Sequence, residues 1–166
     1  MDNALPMREA RRIADQLQRA SNGDAWYGPS VRMALDGVDR RMATTRPLGR
    51  GHTICEIVLH MTAWTREVKR RLEVGIAQAP EMDDWPARVP VDDADWAAIV
   101  GELEAANAEL VEAITAMEDT RLQERIGAAR DRPLGSGVSR YVMLHGMVQH
   151  HAYHAGQISL LKRALE

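Results

Sequence analysis

The chain lacks most of the features that would announce a function. Only one of its 166 residues is cysteine, which excludes an intrachain disulfide and fits a reducing compartment, so a cytoplasmic location is expected. No apolar run approaches the ~20 residues that a membrane-spanning helix needs. The opening stretch "MDNALPMREARR" carries charges where a signal peptide would need an apolar core. Lysine and arginine are scattered through the helical segments and the formal net charge is −3, so neither nucleic acid nor a membrane surface is an expected partner. His-Glu-x-x-His, Glu-x-x-His and Cys-x-x-Cys-His are all missing, and so is a glycine-rich phosphate loop. Their absence removes the metalloprotease, ferritin-like di-iron and haem-attachment readings. No stretch has the β-branched, period-two alternation of a strand.

What is present is helical periodicity in four long segments, so the expected fold is all-α. The first helix is expected from Pro6 to Ala20, with Asp2 or Asn3 as cap, ending at "SNGD". A short helix is expected from Ser30 through Arg41. The second long helix opens at "GHTICEIVLH", where Thr53 and Glu56 have capping-box spacing, and runs to about Gly75 on Ile54, Ile57, Val58, Met61, Trp64, Val68 and Leu72. The proline- and acid-rich "APEMDDWPARVPVDD" reads as a loop, and a third helix spans about Asp93 to Met117. A second loop, "GAARDRPLGSG", leads to the last helix, from about Val138 to Leu165. Residues 1–166 are expected to form a single domain: a four-helix bundle of up-and-down type, with the extra short helix in its first connection. Its apolar core is large enough to need no disulfide or structural metal. In that order the second and fourth long helices would sit diagonally.

The chemistry is concentrated in histidines. In "GMVQHHAYHAGQISLLKRALE" the stripe marked by Met143, Met147, Ile158 and Leu161 is completed by His150 and His154. Four residues apart, these two imidazoles project from one face a turn apart and can chelate a transition metal. His60 lies on the edge of the second long helix's apolar face. Three protein ligands plus an open position is the pattern of a catalytic metal site. The expected ligands are therefore His60, His150 and His154. His151 points about 100° away from His150; a rotated helix would offer His151 with His154 instead, and otherwise His151 is an outer-sphere or surface residue. Tyr153, Gln157 and Trp64 are candidates to line the pocket. Glu56 is a candidate base or orienting group for His60, although capping already explains it. His52 and His145 are expected to be structural. Cys55, although in a first helical turn, is expected to be inert packing.

The motifs "TICEIVLHMTAW" and "VQHHAYHAGQISLLKR", together with the early "AWYGPSVRMALDGV", resemble the DinB/YfiT-like superfamily of metal-dependent bundle proteins. The resemblance covers most of the chain. It implies a four-helix bundle, three histidine ligands at His60, His150 and His154, a divalent transition metal, most often zinc or nickel, and a homodimer. It also implies a small-molecule substrate, since characterised relatives include thiol S-transferases and isomerases that use a low-molecular-weight thiol such as bacillithiol or mycothiol. The sequence departs from the family at Gln149, where asparagine is frequent, and at His151, a position the family leaves variable. The expected function is thus a metal-dependent thiol S-transferase or isomerase. The alternatives are a non-catalytic metal-binding or stress-response bundle protein and a metal-dependent hydrolase.

Overall fold

The computed structural model describes residues 8–166. The expected caps Asp2 and Asn3 and the expected helix-opening Pro6 lie outside the described residues. Four long helices dominate: α1 (Glu9–Asn22), α4 (Ile54–Val74), α5 (Asp93–Ala116) and α6 (Arg140–Arg163). Between α1 and α4 lie two short helices, α2 (Val31–Leu35) and α3 (Arg40–Thr44). The single short helix expected there is broken at Gly37, whose φ of 72° is left-handed, and restarted by Asp39, whose side chain accepts from Met42 N.

The start of α4 follows from its sequence. Thr53 Oγ1 accepts from Glu56 N at 3.1 Å while Thr53 N donates to Glu56 Oε2 at 2.8 Å, so two free amides are satisfied reciprocally. Gly75, at φ 71°, ends the helix. Asp92 and Ser139 cap α5 and α6 in the same way, each accepting from the amide three residues on.

Two further expectations are corrected. The stretch after α5 is not a plain loop. A 3-10 helix (Asp119–Gln123) is followed by an antiparallel hairpin of β1 (Arg125–Asp131) and β2 (Ser136–Ser139), paired Arg125 to Ser139 and Ile126 to Val138. The described fold is therefore mostly helical with one small sheet. Ile126 is the hairpin's fully buried anchor. At Gly137 a Cβ would stand 2.6 Å from Arg130 N, so only glycine lets the two strands approach this closely. The second correction concerns neighbours. α4 packs chiefly against α5 and α6, and α1 against the same two helices, so α4 and α6 are direct neighbours rather than the expected diagonal pair.

The core falls into two apolar clusters. One joins α2, α3 and the first halves of α4 and α5 to the end of α6, through residues such as Ile54, Met61, Ile99 and Ile158. The other joins α1 to the last turns of α4 and α5 and the start of α6, through Leu17, Leu72, Leu110 and Leu144. Between them α4, α5 and α6 contribute polar side chains: Thr65, Asn107, His151, His60 and His154 are all buried. No described helix is long and apolar enough to cross a membrane.

Candidate metal centre

The packing of α4 directly on α6 brings His60 to His150 and His154. Nε2 of His150 lies 3.0 Å from Nε2 of His60 and 3.1 Å from Nε2 of His154, and one ligand atom from each ring falls within 4.8 Å of the others. Two nitrogens that share one ion at ~2.1 Å each stand roughly 3 to 3.5 Å apart. The two distances to His150 have that spacing.

The outer nitrogens establish which way the rings are protonated. Nδ1 of His60 lies 2.7 Å from the backbone oxygen of Asp84 and 3.2 Å from its carboxylate Oδ1. Both are acceptors, so Nδ1 carries the proton and Nε2 presents a lone pair. Nδ1 of His154 lies 2.6 Å from Gln157 Oε1 and donates to it, with the same consequence. Two lone pairs thus converge on the third ring, and at most one of them can take a proton from it. A cation at the convergence point satisfies all three. The residues present therefore fit a divalent transition metal, with His60 and His154 oriented by outer acceptors in the manner of metal-bound imidazoles.

Electrostatics agree. Burial holds His60 below the ordinary histidine range against the upward pull of Asp84. Burial, then the neighbouring imidazoles, push His150 down to about 2. Burial takes His154 to about 4, with Gln157 opposing it. All three are neutral at physiological pH, the protonation state a metal ligand needs.

The route to His150 differs from the one its sequence suggests. The buried stripe of α6 runs Leu144, Met147, His151, Ile158, with His151 fully buried, whereas His150 is half-buried on its edge. His151, expected as an outer-sphere or surface residue, is in the core. Its Nδ1 lies 3.1 Å from Met147 O and its Nε2 2.8 Å from Asn107 Oδ1. Both are acceptors and a neutral ring donates once, so the shorter bond, His151 Nε2–H to Asn107 Oδ1, takes the proton. His151 is thus spent on α5 and does not enter the cluster.

The other candidates divide. The Trp64 ring meets His60 edge-on at 6.5 Å between centroids, and its Nε1 donates to Asp84 Oδ1 at 2.6 Å. Tyr153 is exposed, with its ring against His154 at 5.0 Å. Glu56 is committed to the α4 cap, to Arg46 and to His52. Burial raises the Cys55 thiol to about 11, as inert packing requires. Three neighbours were not foreseen. Asp84 anchors His60, and Trp85 stacks between His52 at 3.4 Å and His60 at 4.1 Å. Both come from the acid- and proline-rich loop, whose pairing of acid with aromatic in "DDWP" was the available signal. Asn107, the partner of His151, gave none.

A sequence profile of the DinB superfamily matches residues 29–158, well over half of the chain and a span that includes all three histidines. No curated protein and no solved structure matches. The chain belongs to the DinB superfamily.

Proposed function

We propose that this protein is a divalent-metal enzyme, with zinc or nickel held by His60, His150 and His154, that transfers or isomerises a small molecule with the help of a low-molecular-weight thiol. The observation that carries the reading is the convergence of three neutral imidazoles, two of which, His60 and His154, have their outer nitrogens held by Asp84 and Gln157. A divalent ion there supplies Lewis acidity, enough to deprotonate a thiol that ligates it. The chain's own part is orientation and access. Asp84 and Gln157 hold two rings in one tautomer, Trp85 covers one face of His60, and a cavity of about 240 Å³ opens beside His150 and Trp64.

Hydrolysis is disfavoured because the carboxylate in contact with a ligand, Asp84, is on the outer side of His60 and already accepts from Trp64. It is not placed to act as a base on the open side. We also propose a cytoplasmic location, in keeping with the single cysteine, and a homodimer, for which α6 offers the exposed apolar side chains Val142 and Leu160. The test is elemental analysis of tag-free protein purified without added metal, combined with turnover of mycothiol or bacillithiol on a chlorobimane. In that reaction the thiol sulfur replaces chloride on carbon and its proton leaves with the chloride. Turnover that a chelator abolishes is expected. Stoichiometric metal without turnover of either thiol would favour the non-catalytic bundle.

A further inference from the structure

The cavity beside the metal centre has walls of unlike chemistry. Its volume is about 240 Å³, just below the ~300 Å³ at which drug-sized sites begin, so it suits a small molecule. Val68 of α4, Val138 of the hairpin and Met143 of α6 make it apolar, and His150 and Trp64 belong to its lining. The exception is Arg71, which also lines it and is only 2% exposed.

Two of the three guanidinium nitrogens of Arg71 are used. Nε donates to Glu67 Oε1 at 2.7 Å and Nη2 to Gln78 O at 2.6 Å, while the guanidinium carbon lies 5.3 Å from the Trp64 ring. Nη1 has no hydrogen-bond partner among the described residues. It faces Gly135, whose φ of 69° favours glycine and where a Cβ would stand 3.5 Å from Nη1. Charge is unbalanced as well. Glu67 is buried and also accepts two bonds from Arg70, at 2.7 and 2.9 Å, so one carboxylate serves two guanidiniums. A buried cation with a free donor and a shared counter-ion in an apolar cavity calls for an anion, and the one free nitrogen, Nη1, suits a compact, singly charged acceptor such as a carboxylate in a charge-assisted hydrogen bond.

We propose that this cavity binds the second substrate, a small carboxylic acid with a short apolar body, and that Arg71 binds its carboxylate. The proposal rests on the metal-centre reading, since the three-histidine site then supplies the reacting end of the same cavity. Arg71 is the specificity-determining residue: it selects the acid over its neutral analogue.

The probes are hexanoate and hexanamide, alike in length and nearly so in volume, titrated calorimetrically into the zinc-loaded full-length chain. Hexanoate is expected to bind about tenfold or more tighter, the worth of one charge-assisted hydrogen bond. Arg71→Gln should erase the preference. Gly146→Leu is an independent check: Gly146 lines the cavity and an added Cβ there meets nothing within 4 Å, so the larger side chain enters free space and should weaken both probes about tenfold. Equal affinity for the two probes, a preference that survives Arg71→Gln, or undiminished binding by Gly146→Leu would each overturn the proposal. If Arg71→Gln fails to fold, the probe comparison in the parent chain and in Gly146→Leu decides. Metal content of the same samples separates this inference from the one beneath it. Metal bound without a carboxylate preference ends the cavity assignment alone, whereas a preference without any metal binding ends the metal reading alone.

Discussion

His150 and His151 are consecutive on α6, both depressed in pKa by burial, and they meet opposite surroundings. His151 is enclosed in the core and bonded there: its Nε2 donates to Asn107 Oδ1 at 2.8 Å and its Nδ1 lies 3.1 Å from Met147 O. His150 is only half-buried, its Nε2 faces the like nitrogens of His60 and His154, and its Nδ1 has no partner among the described residues. Burial therefore does not mark a ligand. Fixed oxygen partners in the core make a histidine structural, while lone pairs gathered on one point without a donor make a candidate site. The more buried residue of the two is the one outside the cluster.

The strongest way to break this contrast is to count metal. His60→Ala, His150→Ala and His154→Ala should each lower affinity by about a hundredfold or more, beyond the effect typical of an outer partner. The triple alanine variant should retain none in equilibrium dialysis, and stoichiometric metal in that variant would dissolve the site. His151→Leu should leave affinity unchanged.

Acid should separate the two histidines through stability. In the metal-free chain a histidine that stays neutral when folded but titrates near 6.5 when unfolded contributes fully above about pH 6.5. That contribution is lost as pH falls towards the folded value of about 4. His151 alone, completely buried, accounts for roughly 3 kcal/mol of that loss. Urea unfolding of chelated protein between pH 7 and pH 4 should therefore show stability falling steadily, and the slope should be shallower in His151→Leu. A flat profile would mean that the core histidine is already charged when folded.

At neutral pH the same substitution should cost about 1–3 kcal/mol, because it leaves the buried Asn107 Oδ1 with only the longer, 3.4 Å bond from Thr65. Adding Asn107→Leu should recover part of it, since replacing both His151 and Asn107 by apolar groups is close to neutral and only the Thr65 hydroxyl then loses an acceptor. A double variant no more stable than His151→Leu would show that the bond itself, not the orphaned amide, carries the energy.

The sequence and the structure agree where periodicity and capping are strong and part where tertiary contacts decide. The Thr53/Glu56 box and the heptad-like faces of the four long helices were legible, and so were the three histidines. The hairpin was not: "GAARDRPLGSG" has no β-branched alternation, and its strands hold together through Ile126 and the close approach at Gly137. The α4–α6 neighbour relation was not legible either, because periodicity reports which face is buried and not against which helix. The stripe of α6 was misassigned by one residue. Met147 is compatible with either His150 or His151 as the next position, and the buried choice is fixed by Asn107, which lies forty-four residues away in sequence. Asp84 and Trp85 belong to a loop, where no period exists to read.

The smallest expected effect tests how the ligand rings are held. His60 and His154 each donate from Nδ1 to an oxygen, but the oxygens differ in origin. For His60 the nearer acceptor, at 2.7 Å, is the backbone carbonyl of Asp84, and the carboxylate follows at 3.2 Å. For His154 the acceptor is the Gln157 side chain at 2.6 Å. A side-chain substitution can remove the second acceptor and not the first. Gln157→Ala should therefore weaken metal binding by about tenfold, the lower end for loss of an outer partner, because the His154 ring loses the bond that fixes its tautomer. Asp84→Asn keeps the carbonyl and replaces the carboxylate by a neutral amide that can still accept from Trp64, so its effect should be smaller, about twofold to threefold. Zinc competition against a chromophoric chelator reads both values on one scale. If Asp84→Asn proves the more damaging of the two, the carboxylate's charge, and not the orientation of the ring, is what the ligand needs from its outer neighbour.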